Sequence, residues 1–256
     1  MIISIIGSGN TATVLGKILK QHNHIINEII GRNKMAVQNL AEELNAHACI
    51  KLNQLDKNSD MYIIAVRDDA VAEVSAQLEL HDKIAVHTCG SVSINVLEQS
   101  SKNIGILYPL QSLRKEINYL PRIPFLIDGN NDLTKEAISN LATSITDTVI
   151  YADDEMRLQY HLSAIIVSNF TNHLFALAKN YCDQNNTDFN SLLPLIEETV
   201  HRLHYYHPSE MQTGPAIRGD ETTIQKHLQL LKQFPQLKRM YEVMSESIKE
   251  SASHTL

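Results

Sequence analysis

Met1-Ile2-Ile3-Ser4-Ile5-Ile6-Gly7-Ser8-Gly9-Asn10-Thr11-Ala12 opens the chain and decides its fold. An apolar run ends in a Gly-x-Gly-x-x-Ala turn, and apolar residues at helical spacing follow at once: Val14, Leu15, Ile18 and Leu19. The order is strand, glycine turn, helix. Gly7 permits the sharp turn, and Gly9 carries no side chain to hold a pyrophosphate off the backbone. Ala12 is small enough for the helix to pack close to the strand. The free N–H groups and positive dipole end of the helix then face the phosphates. A glycine pattern alone is weak, but strand before and helix after is the context its chemistry requires. Gly7, Ser8, Gly9, Asn10, Thr11 and Ala12 are therefore expected to hold a dinucleotide.

Composition narrows the possibilities. A chain of 256 residues, 43% of them hydrophobic, is long enough for one large or two modest domains with a sizeable core. No apolar run approaches the ~20 residues that span a bilayer, so no membrane association is expected. The first strand lacks a basic lead-in and a small-residue cleavage site, and so does not read as a signal peptide. A formal net charge of −7 without a compensating basic stripe argues against nucleic acid as a partner. Cys49, Cys89 and Cys182 are widely spaced and form no C-x-x-C pair. That favours free thiols in a reducing cytoplasm over disulfides or a zinc site.

Outward from the glycine turn, residues 24–31 read as a second strand. Its end, ~20 residues past the turn, is where an acidic residue meets the ribose 2′-hydroxyl when NAD is used. Here stand Gly31-Arg32-Asn33-Lys34. An arginine with a lysine nearby suits a 2′-phosphate, because guanidinium grips phosphate with two parallel hydrogen bonds. Arg32 and Asn33 are thus expected at the cofactor, with NADP favoured over NAD.

A helix is expected over 35–44. Residues 60–66 are a continuous apolar run, the pattern of a parallel strand covered on both faces. The run ends in Val66-Arg67-Asp68-Asp69, where Val66 and Arg67 lie at the cofactor edge and either Asp is placed to cap the next helix. A further strand, 83–91, ends in His87, Thr88, Cys89, Gly90 and Ser91. Open α/β sheets bind ligands at the carboxyl ends of their strands, so His87 is a substrate-binding candidate and Ser91 a catalytic one. Ser91 or Ser93 would also serve as a helix cap. Strands over 103–112, 125–128 and 147–151, with a helix over 133–145, complete a doubly wound parallel sheet ending near residue 151.

From residue 152 the texture becomes helical. A long helix is expected from the acidic start at Asp153 to about Tyr181, apolar over too much of its circumference for a surface helix. It requires burial by neighbours or by a second subunit. Helices over 189–204, 221–231 and 236–248 follow, and the Ser-rich tail is expected to fray at its end. Gly214 and Gly219 both fall in one loop with Pro215, Arg218 and Asp220. The loop is either a bend between helices or a substrate-facing element that brings Arg218 and Asp220 to the ligand. His201, His204 and His207 repeat every third residue, but Pro208 ends the helix there, and no metal site is expected.

These motifs together resemble a known group. The first half is similar to the NADP-binding domain of the 6-phosphogluconate dehydrogenase-like superfamily, which includes pyrroline-5-carboxylate reductases. The whole chain resembles more closely the Rossmann-like plus DUF2520 proteins, labelled NADP oxidoreductases. The matching stretches are residues 7–12, 66–70, 87–91, 108–112, 160–169 and 214–220, with His227. The resemblance implies a Rossmann domain over 1–151, a helical domain over 152–256 that forms a homodimer, and an active site in the cleft between them. Relatives acting on hydroxy acids carry a lysine four residues before an asparagine of the long helix. Counted back from Asn169 that position is Ile165, so their acid–base residue is missing here.

His161 lies two helical turns before Asn169, which places both near one helix face. An imidazole exchanges protons near neutral pH. His161 is the expected acid–base group, and Asn169 is expected to orient substrate or the nicotinamide amide. The sequence thus predicts NADP(H)-dependent hydride transfer involving a small molecule. The alternative is a nucleotide-binding sensor that has lost catalysis.

Overall fold

The computed structural model describes residues 1–253. They fall into two compact units, one ending at Asn169 and one beginning at Phe170. In the first unit, β1 (Ile2–Ile6), β2 (Ile25–Ile30), β3 (His47–Cys49), β4 (Met61–Ile64), β5 (His81–His87), β6 (Ser101–Pro109), β7 (Phe125–Gly129) and β8 (Val149–Tyr151) form one sheet. Its order is β3-β2-β1-β4-β5-β6-β7-β8. Every pairing from β3 to β6 is parallel. The carboxyl ends of β1, β4, β5 and β6 therefore share one edge, and Gly7, Val66, Cys89 and Tyr108 come to that edge with them.

The alternation of side chains along the strands assigns the two faces. Ile3, Ile5 and Ile63 pack on one side with α1 (Asn10–Gln21), α2 (Lys34–Leu44) and, further along the sheet, α4 (Asp132–Thr143). Ile6, Tyr62 and Ile64 pack on the other with Val71 of the short helix α3 (Val71–Ser75). Both faces are covered, as the continuous apolar runs require. Each isoleucine so buried contributes about 1.5–3 kcal/mol.

Two features depart from the expected sheet. Strand β3 is too short to show periodicity, yet it pairs with Glu28, Ile29 and Ile30 of β2, whose edge would otherwise lie open. Strand β7 runs antiparallel to β6, and β8 is parallel to β7.

The expected long helix is also divided. It comprises α5 (Asp154–Ala164), a wider π-helical segment (Ile165–Phe170) and α6 (Thr171–Gln184). Asp153 caps α5 by accepting the Met156 N–H at 2.9 Å. Arg157, only 1% exposed, fastens α5 to the loop after β5. Its Nη2 donates to Asp154 Oδ1 at 2.7 Å and to the Val92 carbonyl.

The second unit is helical among its described residues, with α6, α7 (Leu193–His201), α8 (Glu221–Leu230) and α9 (Pro235–Ser253). His227 Nδ1 lies 2.8 Å from Tyr241 Oη and ties α8 to α9. Helix α9 extends past the expected end at 248, and residues 254–256 of the tail lie outside the described residues. Among the described residues, no helix is long and apolar enough to cross a membrane.

Candidate active site

The glycine turn folds as its residues demand. Gly7 has φ +136°, and a Cβ there would stand 2.2 Å from the Ala65 carbonyl oxygen. Its N–H donates to the Ile30 carbonyl at 2.7 Å, tying the turn to β2. Gly9 is the N-cap of α1 and offers no side chain to cap it. The first intrahelical bond runs from Thr13 N–H to the Gly9 carbonyl, so the N–H groups of Asn10, Thr11 and Ala12 have no helical acceptor. A Cβ at Gly9 would meet nothing within 4 Å, so the space in front of these donors is open.

That space is one end of a groove of about 1100 Å³, lined in part by Gly7, Ser8, Gly9, Arg32, Asn33 and Lys51. Val66 and Arg67 line it on the β4 side. The volume exceeds that of an ordinary small-molecule pocket and has room for a dinucleotide. Arg32 is exposed and forms no ion pair within the described residues. Asn33 caps α2, its Oδ1 accepting the Ala36 N–H at 3.1 Å. The lysine that joins Arg32 at the groove is Lys51, just past β3, and not Lys34. Sequence spacing pointed to Lys34 because β3 itself was not legible. Asn10 and Thr11 do not line the groove; Asn10 Oδ1 instead accepts the Lys115 N–H at 3.4 Å.

At the end of β4 the expected aspartate helix cap is replaced by another arrangement. Asp69 pairs with Arg67 at 2.7 Å, while Asp68 accepts the Ser91 hydroxyl at 2.6 Å. Neither carboxylate caps α3. Ser93 caps the short turn that follows, which leaves Ser91 to Asp68. Asp68 thus joins the candidate site through Ser91, a partnership the capping reading concealed.

His87 is not available to a substrate. It is fully buried; Nδ1 accepts the Cys89 N–H at 3.2 Å, and Nε2 donates to the Ser93 carbonyl at 3.3 Å. Burial and, secondarily, the Arg157 charge lower its pKa to about 4. It is a neutral strut that shapes the strand end, which corrects the substrate-binding role expected from its position. Burial also suppresses the Cys89 thiol's ionisation, so it is no nucleophile.

His161 sits where its neighbours hold it from two directions. Tyr108, the penultimate residue of β6, places Oη 2.9 Å from His161 Nδ1. The rings meet edge to face with centroids 5.9 Å apart. Gly90 makes room for both: a Cβ there would fall 2.6 Å from His161 Nδ1 and 3.0 Å from Tyr108 Cζ. Burial, and then the Asp68 charge, raise the Tyr108 pKa, so the phenol stays protonated at neutral pH. Arg157 lies one turn before His161 on α5 and holds that helix in place.

Three candidates remain, Asn169, Arg218 and Asp220. Asn169 is exposed at the end of the first unit. An unbroken α-helix would put it about 80° round from His161; the wider π turn lowers the rotation per residue and brings the two toward one stripe. Arg218 and Asp220 lie in the second unit. Asp220 caps α8, accepting the Thr223 N–H at 3.0 Å and hydroxyl at 2.7 Å, while Arg218 is exposed. Gly214 and Gly219 take φ +106° and +64°, so the backbone turns sharply at both. His201 and His204 stack edge-on with each other and with Tyr205. No three metal-ligating side chains converge among the described residues.

Comparison with known proteins gives the family and the fold. Residues 2–89 match the family "NADP oxidoreductase coenzyme F420-dependent", and residues 123–248 match DUF2520, a domain of unknown function. A crystal structure from Bacteroides fragilis, of a protein provisionally named an NADP oxidoreductase, is 35% identical. The match covers 97% of this chain and 98% of that one, with a TM-score of 0.91. A pyrroline-5-carboxylate reductase from Streptococcus pyogenes shares the fold at 16% identity, TM-score 0.64 and 98% coverage of each chain. So does a reductive aminase from Aspergillus terreus in complex with NADPH and ethyl-5-oxohexanoate, at 12% identity, TM-score 0.71 and 99% coverage of each chain. A search of curated proteins returns no match.

Proposed function

The chain belongs to the family that joins an NADP oxidoreductase, coenzyme F420-dependent module to DUF2520, and from that premise we propose an NADP(H)-dependent oxidoreductase acting on a small molecule with a C=O or C=N bond. One observation carries this reading. The open glycine turn with its phosphate groove and the Asp68–Ser91 and Tyr108–His161 pairs stand on the same edge of one sheet.

The N–H groups at Gly9–Ala12 hold the pyrophosphate, and Arg32 and Lys51 face the 2′-phosphate, with Asn33 beside them. Val66 and Arg67 wall the groove toward the nicotinamide end. NADPH, when bound, supplies the hydride. His161 moves a proton to or from the substrate heteroatom, Ser91 orients the substrate through its bond to Asp68, and Asn169 contributes a further amide contact. An iminium substrate arrives already protonated and asks only for orientation, which suits a site without the superfamily lysine. The exposed apolar side chains of α5 and the π segment, Leu158, Leu162 and Val167 among them, are the surface of a homodimer.

The test is titration calorimetry of NADPH and NADH against wild type and Arg32→Ala. Micromolar NADPH binding, weaker NADH binding and loss of that preference in the variant are expected. Absence of binding by either nucleotide sinks the reading. Screening carbonyl and cyclic imine probes by loss of NADPH absorbance then finds the substrate class, and His161→Ala is expected to abolish turnover without loss of NADPH affinity.

A further inference from the structure

We infer that Tyr108 is a positioning residue that holds His161 as its Nε2–H tautomer and thereby makes Nε2 the nitrogen that meets the substrate. The assignment rests on the reading of His161 as the proton-transfer group, and it names which atom transfers and what refills it.

The argument begins from hydrogen-bonding capacity. A phenol has one proton to give, and the Tyr108 side chain is only 9% exposed. Among the described residues, the one hydrogen bond of its hydroxyl is to His161 Nδ1, at 2.9 Å. Were Nδ1 protonated, it would donate to Oη and leave the buried phenol proton with no protein acceptor, an arrangement that folding disfavours. The satisfied arrangement has Oη–H donating to Nδ1, and the imidazole proton then sits on Nε2. Nε2 itself has no protein partner within the described residues. His161 is only half-buried, so this proton points out of the Tyr108 contact.

The surroundings reinforce that geometry. Gly90 admits no side chain between the two rings, and Arg157 anchors the same helix one turn earlier. The charged and titratable groups acting on Tyr108 are Asp68, Arg157 and Cys89. Asp68 disfavours loss of the phenol proton, whereas Arg157 favours it.

In the reductive direction bound NADPH would supply the hydride pair to the substrate carbon. The Nε2–H bond breaks as the substrate heteroatom gains its proton, and the Tyr108 proton passes to Nδ1. Between turnovers Nδ1 returns that proton to the phenolate, and Nε2 takes one from water. The net change is one hydride and one solvent proton added across the double bond.

The tautomer is observable without any substrate. The experiment is 15N NMR of histidine-labelled full-length protein at a pH where the ring is neutral, with His161 assigned by its absence in His161→Gln. Wild type is expected to show Nδ1 as the unprotonated, acceptor-type nitrogen and Nε2 as the protonated type. In Tyr108→Phe, which keeps the ring, the two shifts should move toward each other as the tautomers mix. Gly90→Ala should give the same signature by displacing the imidazole. A protonated Nδ1 in wild type, or a Tyr108→Phe spectrum identical to wild type, overturns the inference.

NADPH calorimetry on the same samples separates the two readings. If wild type fails to bind NADPH, the oxidoreductase reading falls whatever the tautomer. If NADPH binds and a carbonyl probe turns over, Tyr108→Phe should lower kcat by about 10–100-fold, below the full effect of losing a general acid. KM and NADPH affinity should stay within about twofold. An unchanged kcat overturns the inference and leaves the cofactor reading intact.

Discussion

Gly7 and Gly9 are two residues apart and answer to different forces, which a pair of substitutions separates. Gly7→Ala forces a side chain into a left-handed backbone and onto the Ala65 carbonyl. Strain of this kind costs about 1–3 kcal/mol before the clash is counted, so the urea midpoint should fall clearly. Gly9→Ala meets no protein atom, so its midpoint should barely move while NADPH affinity drops at least tenfold. If Gly9→Ala binds NADPH normally, the phosphates do not approach that turn. His87 supplies a second test at this scale. Its folded pKa, about 4, lies below the unfolded value of 6.5, so the unfolded chain binds the extra proton between those two pH values. Its contribution is therefore intact above pH ~6.5 and is lost as pH falls toward 4, on the order of 3 kcal/mol in all. Urea midpoints followed from pH 7 to 4 should show this slope, flattened in His87→Gln. An equal slope in that variant refutes the assignment.

At the scale of elements, α5 is held by one buried cation. Arg157 Nη2 satisfies Asp154 and the Val92 carbonyl, while its Nε and Nη1 are buried without a partner. Truncation to Ala leaves a cavity and leaves Asp154 with the Ile94 N–H but no cation, and should cost about 2–4 kcal/mol. Arg157→Met fills the space and removes two unsatisfied donors, so thermal unfolding should place it between Ala and wild type. A Met variant as unstable as Ala would mean that the charge, not the packing, fixes the helix. The sequence made α5 legible as a helix with an acidic start, yet not its anchorage. Hydrophobic periodicity reports which face is apolar and says nothing of an arginine whose partners lie at Val92, far back in the chain. The π segment was hidden for a related reason: Ile165–Phe170 has ordinary helical composition, and only packing selects the wider turn.

For the molecule as a whole, the exposed apolar surface is the feature that a single chain leaves unexplained. Leu162 is 58% exposed and Val167 72%. Exposed apolar side chains of this kind are what the proposed homodimer would cover. Sedimentation equilibrium should find a dimer, and Leu162→Glu with Val167→Asp should shift it toward monomer. A wild-type monomer at micromolar concentration rules the interface out. Net charge belongs to this scale too. At −7, the chain offers long-range attraction to cations, so the proposed binding of cofactor phosphates rests on local groups, Arg32, Lys51 and backbone donors at the groove.

Local chemistry was readable because it is written in adjacent residues. The glycine turn, the apolar runs of the buried strands and the change to helical texture after residue 152 follow from spacing, which the backbone alone converts into structure. The sheet's antiparallel β7, the three-residue β3 and the placement of Lys51 beside Arg32 did not follow, because each depends on pairing between distant segments. The site divides in the same way. His161 and Ser91 could be nominated from position and chemistry. His87 was misread because burial, which a sequence does not display, turns a reactive residue type into a strut. Tyr108 and Asp68 became candidate site residues only through the fold, which sets β4, β5, β6 and α5 side by side and brings groups tens of residues apart within hydrogen-bonding distance.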